Sequence, residues 1–153
     1  MIRLLGEEDA AAYTALRRQA LLELPLAFSA APETDRPFGQ GQIIFGAFEP
    51  SLVGFVGVFR DRHRKTAHKM HVWGMYVAPH ARGRGLGAAL LDAAIAHART
   101  IDGVSSVTLS VTDAAPAARR LYERAGFRVW GTEPDALRAE GSSVAQHHME
   151  LPL

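Results

Sequence analysis

The stretch Met75-Tyr76-Val77-Ala78-Pro79-His80-Ala81-Arg82-Gly83-Arg84-Gly85-Leu86-Gly87-Ala88 sets a glycine-rich, arginine-bearing turn between an apolar strand and an apolar helix. This pattern fixes a strand-to-helix corner in the middle of the chain and makes that corner an anion cradle. Glycines let backbone N–H groups approach a phosphate closely, the helix N-terminus contributes unpaired donors and the positive end of its dipole, and the arginines add fixed charge.

Composition bounds the rest. With 153 residues the chain fits one domain spanning 1–153, enough to bury roughly 70% of the surface its unfolded form exposes. A formal net charge of +1 gives no global attraction to nucleic acid or a membrane surface, so an anion site has to be local. The sequence also lacks clustered base-stacking aromatics on a basic surface, and a nucleic-acid partner is not expected. Zero cysteines exclude a disulfide framework, a thiolate metal site and a cysteine nucleophile, and suit a reducing compartment. Met1 to Gly6 lead straight into Glu7-Glu8-Asp9 without a long apolar run, so the expectation is a cytoplasmic protein without a membrane partner.

Along the chain, Ile2 to Leu5 reads as a short strand. A helix follows, with Tyr13, Leu16, Ala20 and Leu24 at helical spacing and Pro25 as its stop. Residues 25–41 carry three prolines and two glycines and read as a long loop. Gln42 to Phe48 and Leu52 to Arg60 form a hairpin around Glu49-Pro50-Ser51. A charged turn then leads into a third antiparallel strand, Met70 to Val77. Beyond the cradle come a helix from Leu86 to Ile101 closed by Gly103, a strand from Val104 to Val111, and a helix opening at Pro116 and ending at Gly126. A strand from Phe127 to Gly131, a loop, and a last strand from Val144 to Leu151 complete the order. These elements predict an α/β protein of the mixed-sheet kind, with helices on both faces.

Several phosphate-binding readings compete for the turn. A Walker-type loop needs a lysine after its glycines, and no lysine follows Lys69. A dinucleotide fingerprint matches loosely through Gly83-x-Gly85-x-x-Ala88, with Asp113 ending the next strand, but half the chain precedes the turn as hairpin strands. A ligand-free turn easing strand-to-helix packing is a further alternative. Coenzyme A is the remaining reading.

Two blocks in register carry a resemblance that favours coenzyme A. Arg82-x-x-Gly85-x-Gly87 and Leu121-Tyr122-Glu123-Arg124-Ala125-Gly126-Phe127 are similar to the two signatures of the GNAT superfamily of acetyl-CoA-dependent N-acetyltransferases, and the element order around them fits as well. The resemblance implies a mostly antiparallel, twisted central sheet whose middle strands splay apart, with acetyl-CoA as co-substrate and no metal. Backbone groups of Met75, Tyr76 and Val77 would pair with the pantetheine arm. Amides from Arg82 through Gly83, Arg84, Gly85, Leu86, Gly87 and Ala88 would hold the pyrophosphate, with the Arg82 and Arg84 side chains as further contacts.

The same resemblance implies Tyr122 as the acid that protonates the departing thiolate. His71 stands where some relatives place a glutamate base, eleven residues before Arg82, and a histidine can take up a proton near neutrality. Glu33, in the long loop, is a second candidate base from the wall that meets the acceptor, and Phe28 and Phe38 line that wall. Ala115 stands where many relatives carry a cofactor-contacting asparagine, a loss of about 1 kcal/mol. The implied activity is acetyl transfer to a primary amine, borne by a small molecule, peptide or protein, by direct attack. A non-catalytic acyl-CoA binding or sensing module is the alternative. Dimerisation is common among relatives, so a homodimer is a possible assembly.

Other features read more plainly. The basic run over residues 60–69 suits a solvated hairpin tip, with contact to an acidic acceptor or the cofactor 3′-phosphate as the alternative. Trp73 and Trp130 suit core or interface positions. His147 and His148 alternate across a strand and cannot share one metal ion.

Overall fold

The computed structural model describes residues 1–39 and 41–153. Its elements are β1 (Ile2–Leu4), α1 (Ala10–Glu23), β2 (Ile43–Phe48), β3 (Leu52–Arg60), β4 (Lys69–Val77), α2 (Leu86–Arg99), β5 (Ser106–Thr112), α3 (Pro116–Arg124), β6 (Arg128–Ala139) and β7 (Ser142–Pro152). Single-turn 3-10 helices at Glu7–Asp9 and Pro79–Ala81 lead into α1 and into the glycine turn. The described part of residues 25–41 forms turns and bends only, as its prolines require.

All seven strands join one sheet in the order β1-β2-β3-β4-β5-β7-β6. Its pairs are antiparallel except β4 with β5, which run parallel because α2 carries the chain back across the sheet between them. Strand alternation divides the buried residues between two faces. Tyr13, Leu16 and Ala20 of α1 pack with Ile44, Phe55 and Tyr76 on one side. On the other, Leu90, Leu91, Ala94 and Ala98 of α2 and Tyr122 of α3 meet Val56, Val58, Val72, Val107 and Met149. Helices therefore cover both faces, as the sequence predicts.

Two departures from regular pairing shape the middle of the sheet. The β4–β5 ladder holds only three pairs, Lys69 with Ser106, Met70 with Val107 and His71 with Thr108, after which the two strands diverge. On its other side β4 pairs with β3 through a bulge: Phe55 faces Tyr76 and Gly57 faces Trp73, leaving Gly74 and Met75 opposite Val56. Gly74 takes φ +67, a left-handed value that a Cβ disfavours, and so supplies the extra residue of the bulge. Side-chain parity switches there. His71 and Trp73 lie on the α1 side before the bulge and Tyr76 lies on it after, while Met75 and Val77 turn toward α2.

One sequence expectation is corrected. Residues 132–143 are not a loop: β6 runs to Ala139 and returns through the two-residue turn Glu140-Gly141 into β7, which starts at Ser142. The positive φ of Glu140 (+52) and Gly141 (+76) makes this a tight hairpin turn with the hand that strand twist favours. Pro134 is tolerated because β6 is an edge strand, and the register shift between Glu133 and Leu137 absorbs it together with Asp135 at φ +51.

Candidate active site

The cradle sits where β4 gives way to α2. Gly83 and Gly85 take φ +79 and +78, and a Cβ at either would meet nothing within 4 Å, so their backbone borders open space. Gly85 caps α2, and Ala89 N–H makes the first return bond to its carbonyl. The amides of Leu86, Gly87 and Ala88 thus stand in the first helical turn, where no intrahelical carbonyl can accept from them. The Arg82 amide does not belong to this set: it donates to the Pro79 carbonyl at 3.3 Å.

Nor do the two arginine side chains point freely at an anion. Arg82 donates from Nε to the Val77 carbonyl at 2.8 Å and pairs with Glu23 of α1 at 2.9 Å. Glu23 also accepts from the Tyr76 hydroxyl. Arg84 pairs with Glu49 of the β2–β3 hairpin at 2.7 Å. These pairs brace the turn against neighbouring elements and leave the backbone as its anion-facing part.

Beside the cradle, the divergence of β4 and β5 leaves the β5-facing edge of Val72 to Val77 without a strand partner. An extended ligand carrying amides fits such an edge as an added strand. Tyr122, on α3, is 5% exposed and packs edge-on against Phe127 at 6.0 Å between ring centroids. Burial alone pushes its phenol well above the ordinary value of 10.0, so the hydroxyl stays protonated through the neutral range.

The α1 side of the divergence opens into a cavity of about 710 Å³, within the size range of small-ligand sites. Its floor comes from alternate residues of adjacent strands: His71 and Trp73 of β4, Thr108 and Ser110 of β5, Gln146, His148 and Glu150 of β7. Its roof is the long loop at Ala27 to Ala30, which the Thr112 hydroxyl ties down by donating to the Leu26 carbonyl at 2.6 Å.

His71 is the most constrained of the floor residues. Its Nε2 lies 3.1 Å from Asp61 and its Nδ1 lies 2.5 Å from the Thr108 hydroxyl, while Phe59 stacks on the ring at 4.6 Å. With Nε2–H donating to the carboxylate, Nδ1 is left to accept from Thr108. The hydrogen bond from His71 in turn holds the Asp61 carboxyl below the usual carboxylate range.

Of the sequence-predicted acceptor residues, the structure brings His71 and Phe28 into this cavity and leaves Glu33 exposed outside it. Phe38 packs on Tyr13 in the core beneath the loop. Trp73 and Trp130 both line the cavity, Trp130 from its rim, where it stacks on His148 with 68% of its surface exposed. Part of the basic run, though exposed, borders a cavity: Arg60, Arg62 and His63 line an adjoining one of about 450 Å³.

Sequence reasoning missed Arg17, Asp61, Thr108, Ser110 and His148. Arg17 had a signal. It falls four residues after Tyr13 and three before Ala20, a charged residue inside the apolar stripe of α1.

Comparisons with known proteins agree with this fold. The model of the acetyltransferase (GNAT) family matches residues 9–127. A mycothiol acetyltransferase from Propionibacterium freudenreichii subsp. shermanii is 39% identical over 84 residues, 54% of this chain and 26% of that protein. The chain therefore spans about a quarter of the length of that curated relative. The acetyltransferase of the GNAT family from Streptococcus pneumoniae superposes with a TM-score of 0.87 at 21% identity, covering 100% of this chain and 99% of that one. A putative acetyltransferase from Salmonella typhimurium, solved with its cofactor acetyl-CoA, gives 0.84 at 23% identity, covering 100% and 93%.

Proposed function

Because the chain belongs to the GNAT acetyltransferase family, we propose that it transfers the acetyl group of acetyl-CoA to a primary amine by direct attack. The observation that carries this reading is the three-pair β4–β5 ladder, which frees a strand edge that leads into the glycine turn. The amides from Gly83 to Ala88 hold the diphosphate, and the edge from Met75 to Val77 pairs with the pantetheine arm. Acetyl-CoA supplies an activated carbonyl for the amine to attack.

The chain's own groups then handle protons. Tyr122, kept protonated by burial, gives its proton to the departing sulfur. The proton lost by the amine passes to His71 through the Thr108 hydroxyl, with Asp61 fixing the ring. A direct route suits a chain without cysteine. The cytoplasm suits the same composition.

The experiment is release of coenzyme A thiol from acetyl-CoA across a panel of amines, with Tyr122→Phe alongside. Turnover in the native protein, reduced about 100-fold in the variant at unchanged coenzyme A affinity, is the expected result. Ala115, standing where many relatives carry a cofactor-contacting asparagine, favours the competing reading of a non-catalytic acyl-CoA binding module. Tight binding with no turnover on any amine selects that alternative.

A further inference from the structure

Among the described residues, Arg17 is the one cation buried under the roof of the cavity, and its hydrogen bonding is incomplete. Only 6% of the residue is exposed. Its Nε and Nη2 donate to the two oxygens of Asp35 at 2.9 and 3.2 Å, which fixes the guanidinium plane. Phe28 and Trp73 lie over it at 5.4 and 5.5 Å. The remaining nitrogen, Nη1, is buried without a hydrogen-bond partner among the described residues. It lies 3.2 Å from where a Cβ on Gly74 would stand, so the left-handed glycine of the β4 bulge is also what lets the guanidinium reach this end of the cavity.

A buried N–H without an acceptor is costly, and a guanidinium with one edge held by a carboxylate presents its other edge as a second fork of the same geometry. The surroundings favour an anion there. The 710 Å³ cavity and the adjoining cavities of about 450 and 250 Å³ share Phe59 and Trp73 as walls. Together they are lined by five cationic side chains, Arg17, Arg36, Arg60, Arg62 and Lys69, against three carboxylates. Among the described residues, neither Arg36 nor Arg62 forms a salt bridge.

We propose that the acceptor is an amine that also bears a carboxylate, an amino-acid-like compound, and that the free edge of Arg17 receives the carboxylate. This deepens the acetyl-transfer reading and rests on it. It selects among acceptors: simple amines and lysine side chains within a protein present no carboxylate close to the reacting nitrogen.

The test pairs amino acids with their α-amides and with the amines left by decarboxylation, following thiol release for the native protein and for Arg17→Lys, which keeps the charge but loses the fork. For the native protein the acids are expected to exceed both neutral partners in kcat/KM by about tenfold or more, and in Arg17→Lys that ratio is expected to fall toward one. A purely structural Arg17 would slow all three classes alike and leave the ratio unchanged. Equal rates for acids and neutral partners in the native protein overturn the proposal while leaving acetyl transfer standing.

If nothing turns over, acetyl transfer itself fails, and ligand-observed NMR with the same compounds and coenzyme A still decides the site. Binding of the acids alone, weakened in Arg17→Lys, upholds it. Equal or absent binding overturns it.

Discussion

At the residue scale, the candidate site divides between groups legible in the sequence and groups that only folding assembles. Tyr122 was legible because it lies inside a seven-residue block with glycine and phenylalanine at fixed offsets. Its buried phenol titrates above the ordinary value of 10.0, so protonation of the leaving sulfur should show no alkaline fall in kcat up to about pH 9. A falling limb near neutrality that vanishes in Tyr122→Phe would contradict this. His71 was reached through its offset from Arg82, but its partners were hidden, since Asp61 and Thr108 come from the β3–β4 turn and from β5. His71→Gln is expected to lower kcat about 100-fold without changing coenzyme A affinity. An unchanged kcat would leave the histidine as a packing residue. Arg17 and Asp35 stand eighteen residues apart across a helix end and an irregular loop, so no short motif could have joined them.

At the scale of elements, the strand-to-helix corner follows from local chemistry, whereas the edge hairpin does not. Clustered glycines mark the cradle in the sequence, and the structure gives Gly83 and Gly85 the positive φ they permit; α2 announces itself by its broad apolar face. β6 hides because its polar residues and Pro134 look like a loop until the strand is known to lie at an edge. β6 also does not sit beside the strand before it, because β7 is inserted between β5 and β6. The β4 bulge is the element that links packing to the site. Gly74→Ala places a side chain in a left-handed backbone and 3.2 Å from Arg17 Nη1, and should destabilise the protein by about 1–2 kcal/mol. Urea denaturation should show a lower midpoint with an unchanged slope. A midpoint equal to that of the native protein would mean that the bulge relaxes freely and does not fix the guanidinium.

At the scale of the whole molecule, a sheet with helices on both faces is divided at its centre, where β4 and β5 diverge after three pairs. α2 and its glycine turn flank one side, and α1 with the long loop closes the cavity on the other; the proposed function seats the phosphate-bearing carrier at the first and the acceptor at the second. The central claim is that backbone donors at this junction hold the diphosphate of coenzyme A. Titration calorimetry with coenzyme A measures it most directly, on the native protein and on Gly85→Glu, which sets a carboxylate into space that is open around that glycine. One saturable site per chain, lost in a Gly85→Glu protein that still unfolds cooperatively, is the predicted result. No heat with the native protein, or heat undiminished in the variant, would contradict it.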